Sequence, residues 1–415
     1  MRKIEPLAND YIKLYETDID RQEYAYTPGI CVLPNGRIIA TMDHVYKGLA
    51  EIEMNSQRGL IFLSDDGENF RFIRHFPAGH ARPFVAGNSV YVLGQHGRLV
   101  ILRSDDWGET WSEPCFLTDP EENGRWHGSA TSVWYEEDRV YMVMEHTVAE
   151  PGTPWPVAAI APVLLRANVN DDLTKRESWT FASELRFREH VNQAEMNDFG
   201  VPFFEAPYNG RIELAPRRGT SPIGWLEFNV ARIKDEKHYW YDPSGHTYHL
   251  LGRGHTAGTG YAAMVKVVEK EDGTMETMFE QVPSGRRVVY LPMPGGQMRF
   301  HILYDEETKL YWLLSTQATD SMTRAELLPP DRYNIPNDER RRLTLHFSKN
   351  LVDWCFAGLV AVGEVEKASR HYACMAIQGE DLLILSRSGD HRAASAHNGN
   401  LITLHRVKNF RELVY

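Results

Sequence analysis

The sequence has few cysteines, and this limits the chemistry available to it. Cys31, Cys115, Cys355 and Cys374 are the four cysteines among 415 residues, and no two of them have the short spacing of a metal-binding motif. Each lies in an apolar stretch, which favours reduced thiols in the core over disulfides. The sequence therefore predicts neither a disulfide framework nor a cysteine-held metal.

Basic runs and long apolar runs are also missing. The chain has 57 acidic and 45 basic residues and no long basic stretch, which argues against nucleic acid and against an anionic membrane surface as partners. No apolar segment approaches the length of a membrane span, and no apolar run follows the basic residues near the N terminus. We therefore expect a cytoplasmic protein that acts on a small partner, in an oligomeric state that the sequence leaves open.

One short pattern occurs twice, in residues 63–70 and 103–111. Each copy contains a serine, an aspartate, a glycine and an aromatic residue in that order. Each copy also follows one apolar strand and precedes another, so it predicts the turn of a β-hairpin. In the first copy, Ser64 and Asp66 can accept hydrogen bonds from the turn's amides, while Gly67 takes a positive φ.

A third, partial copy covers residues 347–354 and keeps Ser348 and Trp354 without the glycine. The three stretches resemble the Asp-box, or BNR repeat, Ser-x-Asp-x-Gly-x-x-Trp/Phe, of sialidase-type β-propellers. The resemblance implies an all-β fold, a six-bladed β-propeller with four-stranded antiparallel blades. It also implies that Phe70 and Trp111 are buried on the face opposite the functional site.

The apolar stretches group into six blades and account for the whole chain, 1–415, as one domain. A strand at about 10–16 is expected to close the ring against the last blade, because a propeller must hide its edge strands. A long irregular segment at 191–224 is expected to carry function or to cap the site. The blades are predicted at 29–75, 83–117, 129–182, 226–282, 298–360 and 372–415.

Three further segments resemble the catalytic strands of the sialidase superfamily. Residues 226–230 resemble the strand whose glutamate polarises a tyrosine nucleophile, residues 252–253 resemble the following strand with its carboxylate-binding arginine, and residues 371–375 resemble the strand that carries the tyrosine. The resemblance implies Glu227 as the base, Tyr372 as the nucleophile and Arg253 as a carboxylate-binding arginine. A tyrosine suits this role because an anionic nucleophile would be repelled by a carboxylate beside the anomeric carbon.

The sequence departs from the family pattern at three places. Residues 26–28 read Tyr-Thr-Pro where the family has Arg-Ile-Pro, and no basic residue stands at 311–312, where the third arginine of the carboxylate site falls. The loop of the catalytic aspartate aligns poorly with 51–58, so Asp43 is the expected proton donor, with Glu205 as the alternative. The expected substrate is therefore a sugar other than common sialic acid.

The site is expected where first strands begin and second strands end, because these positions share one face of a propeller. Polar residues are concentrated at these positions, and their convergence favours a binding site. The substrate-binding candidates are Arg253, Arg299, His80, Arg82, His127, Glu205, His301 and His371.

The leading hypothesis is a glycoside hydrolase that acts at the non-reducing end of a carbohydrate without a cofactor. A second hypothesis is a uronic-acid lyase, in which Tyr372 or a histidine removes the C5 proton. In that case His80, His127, His301 and His371 could ring a divalent metal, since imidazoles are good ligands for transition metals. A third hypothesis is a non-catalytic glycan-binding propeller.

Overall fold

The fold is a six-bladed β-propeller, as the sequence predicts. The computed structural model describes residues 4–46, 58–153, 155–192, 208, 213–215, 218–219, 222–328 and 339–415. Within these residues, no helix has the length and apolar character needed to cross a membrane. The first strand of each blade lies nearest the central channel, and the cores of the molecule lie between adjacent blades.

Three blades consist of four antiparallel strands paired in chain order. Blade one contains Glu23–Val32, Ile38–Tyr46, Gly59–Ser64 and Arg71–Phe76. Blade two contains Gly79–Ala86, Ser89–Gln95, Leu99–Ser104 and Cys115–Phe116. Blade five contains His301–Asp305, Leu310–Thr316, Arg342–Ser348 and Cys355–Val362.

The other three blades vary this plan. The inner strand of blade three is split, and the blade contains Arg125–His127, Val133–Glu136, Arg139–Thr147, Ile160–Asn168 and Trp179–Phe181. Blade four has an added fifth strand and contains Gly224–Ala231, Thr247–His255, Tyr261–Glu269, Met275–Met278 and Tyr290–Pro292. Blade six is completed by the N-terminal strand and contains Arg370–Gln378, Asp381–Ser388, Leu401–Val407 and Ile12–Glu16.

Several short elements lie outside the blade strands. Two small ribbons pair Glu213–Ala215 with Arg218–Gly219 and Glu280–Gln281 with Arg287–Val288. A single-turn α-helix covers Phe187–His190. The 3-10 turns are Ile19–Arg21, Val157–Ala159, Arg176–Ser178, Ala325–Leu327 and Phe410–Leu413.

The repeated turns have the hydrogen bonds that their residues predict. In the first, the Gly67 amide donates to Ser64 Oγ over 2.9 Å, and Asp66 Oδ1 accepts from the amides of Glu68 and Asn69. Gly67 has a φ of 77°. The third copy forms the same kind of turn, and Leu351 takes a φ of 64° where the other copies have glycine.

Phe70 and Trp111 are half-buried, so the expectation that they are buried is wrong. Both rings pack against the edges of the blade cores but keep one side in solvent. Trp111 also covers its own turn, since its Nε1 donates to the carbonyl of Gly108.

A β-bulge interrupts the inner strand in four of the six blades. At each bulge the ladder register shifts, and one residue other than glycine has a positive φ. Such a backbone costs about 1–2 kcal/mol per residue, and a bulge redirects side chains relative to the regular strand. The four residues are Thr27 at 30°, His80 at 56°, Glu227 at 61° and Tyr372 at 47°.

The bulges of blades two, four and six are each held by a charged side chain of the preceding blade. Asp43 in blade one accepts from the His80 amide, and Glu145 in blade three accepts from the Phe228 amide. Arg299, which precedes the inner strand of blade five, donates to the Tyr372 carbonyl. Backbone amides and carbonyls that the sheet leaves unpaired at the bulges thereby form hydrogen bonds with a side chain of a neighbouring blade.

Asn229 joins three blades through its side-chain amide. Its Oδ1 accepts from the amides of Ser132 in blade three and Ile302 in blade five, and its Nδ2 donates to the carbonyl of Phe300. Because Asn229 is fully buried, water cannot replace its hydrogen bonds to these three backbone groups.

Asn229→Ala should lower the free energy of unfolding by about 3 kcal/mol or more, since each unpaired buried group costs about 1–3 kcal/mol. Urea denaturation measures the change. Asn168→Ala is the control, because Asn168 bonds to Asp138 at an exposed turn, and it should cost under about 1 kcal/mol. Equal losses in the two variants would contradict the role of Asn229 as a link between blades.

Candidate active site

Tyr372, Glu227 and Arg253 form one cluster at the channel mouth. Arg253 Nη1 lies 2.9 Å from the Tyr372 hydroxyl and 3.5 Å from Glu227 Oε2, and Arg253 Nε donates to the Gln297 carbonyl over 2.8 Å. Glu227 and Arg253 are buried, and Tyr372 is half-buried. The structure thus brings together the three residues that the sequence assigns to nucleophile, base and carboxylate binding.

The electrostatics of this cluster keep Tyr372 protonated at rest. Burial raises the pKa of Tyr372, and the charge of Glu227 raises the pKa further, although Arg253 and Arg340 oppose it. Glu227 also shares a hydrogen bond with the phenol. The carboxylate is therefore in position to accept the phenolic proton, and Arg253 is in position to stabilise a phenolate.

Asp43 and His80 form a second group at the bulge of blade two. The two Asp43 oxygens lie 2.9 and 3.0 Å from the His80 amide, and Oδ2 lies 3.5 Å from His80 Nε2. The Asp43 side chain is 0% exposed, and burial raises its pKa to about 6, against the charge of Arg58. Asp43 can therefore carry a proton under mildly acidic conditions. Burial holds the pKa of His80 well below its usual value, so that ring is neutral.

His127 and Glu145 form a third group, in contact with the second. His127 Nδ1 lies 2.9 Å from Glu145 Oε2, and the His80 and His127 ring centroids are 5.2 Å apart. Burial opposes protonation of His127, yet its hydrogen bond with Glu145 raises its pKa overall. Glu227 also acts on His127 electrostatically, which places this pair beside the Tyr372 cluster.

Two arginines outside the expected set face Tyr372. The guanidinium carbons of Arg387 and Arg340 lie 5.4 and 5.8 Å from the centroid of the Tyr372 ring. Arg387 also lies 3.4 Å from the centroid of Tyr26, the residue that stands where the family has an arginine. The available signals were the position of Arg387 near the end of the second strand of blade six and the arginine-rich stretch at 324–342.

Arg82 and Arg299 are placed differently from a substrate-binding arginine. They are as buried as Arg340 and Arg387, but their guanidinium groups donate mainly to backbone carbonyls of other blades. His371 is also buried, with Nδ1 3.2 Å from Arg340 Nη1, so it lies behind the tyrosine. We therefore propose that Arg299 and His371 support the site from behind, that Arg82 braces blade three, and that none of the three touches the substrate.

His301 lies away from the other histidines. It lines a cavity of about 790 Å³ formed by the later residues of the inner strands, whereas the Tyr372 cluster lies at their beginnings. The inner strand of blade five has no bulge to redirect its side chains.

Across the described part of the chain, no group of three or more histidine, cysteine, aspartate or glutamate residues could hold a metal ion. The histidine ring of the metal hypothesis is not formed there, and Glu205 lies outside the described residues.

Comparisons with known proteins establish the fold. The sequence matches no family model and no curated protein. A protein of unknown function from Dyadobacter fermentans has a TM-score of 0.57 at 12% identity, over 98% of this chain and 100% of that one. A Hadza microbial sialidase has a TM-score of 0.55 at 14% identity, over 96% of this chain and 68% of that one. The α-L-arabinanase of Penicillium chrysogenum complexed with arabinobiose has a TM-score of 0.52 at 11% identity, over 99% of this chain and 100% of that one.

The chain thus shares its fold with a sialidase and an arabinanase. This confirms the resemblance to sialidase-type propellers at the level of the fold. Identities this low carry the fold alone, so the chemistry has to be argued from the site.

The raised pKa of Asp43 predicts a pH-dependent stability. Because the folded-state pKa of about 6 exceeds the ordinary aspartate value of 3.8, ionisation of Asp43 destabilises the fold as the pH rises from about 4 to 6. Asp43→Asn cannot ionise and can still accept from the His80 amide. Relative to wild type it should gain up to about 3 kcal/mol in unfolding free energy between pH 4 and pH 7.

Asp66→Asn is the control, because the stability contributed by Asp66 changes with pH in the opposite direction. Hydrogen bonds from Asn69 and Glu68 lower the pKa of Asp66, so its ionised form stabilises the turn above pH 4 and loses that effect in acid. Urea denaturation from about pH 2 to about pH 7 measures both variants, since the Asp66 effect is lost below about pH 4 and the Asp43 effect develops above it. A pH-independent difference between Asp43→Asn and wild type would show that Asp43 does not titrate there.

Proposed function

We propose that this protein is an exo-acting glycoside hydrolase in which Tyr372 is the nucleophile and Glu227 is its base. The observation that carries this proposal is the shared contact of Arg253 Nη1 with the phenol and the carboxylate, at 2.9 and 3.5 Å. A phenol is a weak nucleophile at neutral pH unless a neighbour takes its proton. Glu227 supplies that acceptor, and Arg253 stabilises the charge that forms.

The reaction follows from these positions in two steps. Tyr372 Oη bonds to the anomeric carbon as the glycosidic bond breaks, its proton passes to Glu227, and an acid protonates the leaving oxygen. Water then attacks the same carbon and gives its proton to the deprotonated acid, while the bond between that carbon and Tyr372 Oη breaks and the phenolate recovers its proton from Glu227. We assign the acid to Asp43, since burial raises its pKa to about 6 and so keeps its proton available at mildly acidic pH.

The substrate class follows from the positive charge around Tyr372. Arg253, Arg340 and Arg387 come from different parts of the chain and all lie against this residue. Arg387 stacks on Tyr26, so it supplies a cation at the corner where the family pattern has its first-strand arginine. We infer a non-reducing-end sugar with a carboxylate. The changed arrangement of arginines favours an acidic sugar other than common sialic acid, such as a uronic acid.

A uronic-acid lyase is the second candidate, and His127 is the observation that favours it. Its imidazole is held by Glu145 beside the Tyr372 cluster and could remove a proton next to a neutralised carboxylate. A panel of aryl glycosides and uronic-acid oligosaccharides separates the two reactions. Hydrolysis yields a saturated sugar with water incorporated, whereas elimination yields an unsaturated uronic product.

Tyr372→Phe and Glu227→Gln should each lower kcat/KM by at least about 100-fold, because removing either group disables one proton-transfer unit. The double variant should lose little more than either single one. Kinetic measurements on the best substrate of the panel test this cycle. Tyr304→Phe, which changes a tyrosine of the opposite cavity, serves as the control and should keep wild-type turnover. Multiplicative losses, or normal turnover in Tyr372→Phe, would contradict the paired roles.

Arg387→Met and Arg340→Met should each weaken binding of an acidic glycoside by about 10-fold to 100-fold. A charge-assisted hydrogen bond to a carboxylate is worth about 1.5–3 kcal/mol. The matching neutral glycoside should be affected far less, and KM and inhibitor binding measure both. Arg176→Met is the matched control, since Arg176 lies 3.8 Å from the centroid of Phe181, away from the site. Equal losses for acidic and neutral sugars would count against a carboxylate site.

A further inference from the structure

The Arg299 guanidinium connects three blades directly behind the nucleophile. Its Nη1 donates to the carbonyl of Tyr372 in blade six, and its Nη2 donates to the carbonyl of Ala130 in blade three. The residue itself precedes the inner strand of blade five and is 1% exposed. Its guanidinium carbon lies 5.8 Å from the Tyr372 ring centroid.

This contact reaches Tyr372 at a point where the sheet does not support its backbone. His371 pairs with Arg387, and the next pair in the ladder is Cys374 with Leu385, so the bulge interrupts the pairing at Tyr372. The φ of 47° lies in the left-handed region that a tyrosine rarely adopts. A contact outside the ladder is therefore needed to keep this conformation.

We propose that Arg299 is a positioning residue for the nucleophile. By holding the Tyr372 carbonyl, it maintains the bulge that places the hydroxyl 2.9 Å from Arg253 Nη1 and beside Glu227. The two donated bonds need a planar guanidinium, because a lysine ammonium is a single point that cannot bridge both carbonyls with the same geometry. The proposal rests on the proposed function for the identity of the nucleophile.

Arg82 provides a matched comparison within the same channel. It is 2% exposed, and its Nη2 donates to the Ser129 carbonyl, the Thr131 hydroxyl and the Val143 carbonyl. These partners all belong to blade three, so Arg82 supports the fold without touching Tyr372. A purely structural role for Arg299 would make the two arginines equivalent in their effect on turnover.

The kinetic test compares Arg299→Met, Arg299→Lys and Arg82→Met on the best glycoside of the panel, at a temperature where all three are folded by circular dichroism. Arg299→Met should lower kcat by at least about 100-fold with KM within about threefold, because the nucleophile is displaced while the sugar contacts remain. Arg299→Lys should recover part of kcat, because it can bond one carbonyl. Arg82→Met should lose melting temperature but keep kcat within about threefold. Equal kcat losses in Arg299→Met and Arg82→Met, or a change in KM alone, would overturn the proposal.

A crystal structure of Arg299→Met, or of Arg299→Lys if the first variant does not fold, gives a readout independent of activity. The expected result is that Tyr372 leaves the left-handed region and its hydroxyl moves more than about 1 Å from Arg253 Nη1. An unmoved tyrosine would overturn the positioning role. A wild-type protein that cleaves no glycoside would instead count against the proposed hydrolase, and the position of Tyr372 would still decide the role of Arg299.

Discussion

The candidate site depends on β-bulges in the inner strands and on the charged side chains that hold them. A regular strand would send residues alternately into the two flanking cores, whereas the bulges at His80, Glu227 and Tyr372 break this alternation at the channel mouth. The left-handed backbone at each bulge is unfavourable, and it is secured from the preceding blade by Asp43, Glu145 and Arg299. Residues that stabilise the propeller and residues that can do chemistry are therefore packed together.

This coupling explains the unusual ionisation states around the channel. Burial raises the pKa of Asp43 and of Tyr372, and it lowers the pKa of His80. The hydrogen bond to Glu145 reverses the effect of burial at His127. A carboxyl group with a raised pKa, a neutral imidazole, a protonated phenol and a basic imidazole thus lie close together, an arrangement that suits acid and base chemistry.

The positive charge near Tyr372 shows how a site can be built from unexpected positions. Tyr26 lacks the charge of the family's arginine, yet its ring supports Arg387, which comes from the second strand of blade six. Arg340 approaches the same tyrosine from the arginine-rich region before the third strand of blade five. Comparison of strand motifs position by position cannot find such a replacement, because the charge arrives from another blade.

Local patterns in the sequence determined the hairpin turns and, with them, the propeller. The bonds of Ser64 and Asp66 lie within a few residues, and even the copy without glycine forms its turn, at Leu351. Tyr372, Glu227 and Arg253 could also be named as candidate site residues from the sequence, because each stands in a strand motif. Tertiary structure alone decided that Arg82 and Arg299 bond to carbonyls, that His301 lies in the far cavity, and that Arg340 and Arg387 face the tyrosine. These outcomes depend on contacts between distant blades and on one-residue register shifts, and a shift of one residue turns a side chain to the other face of its strand.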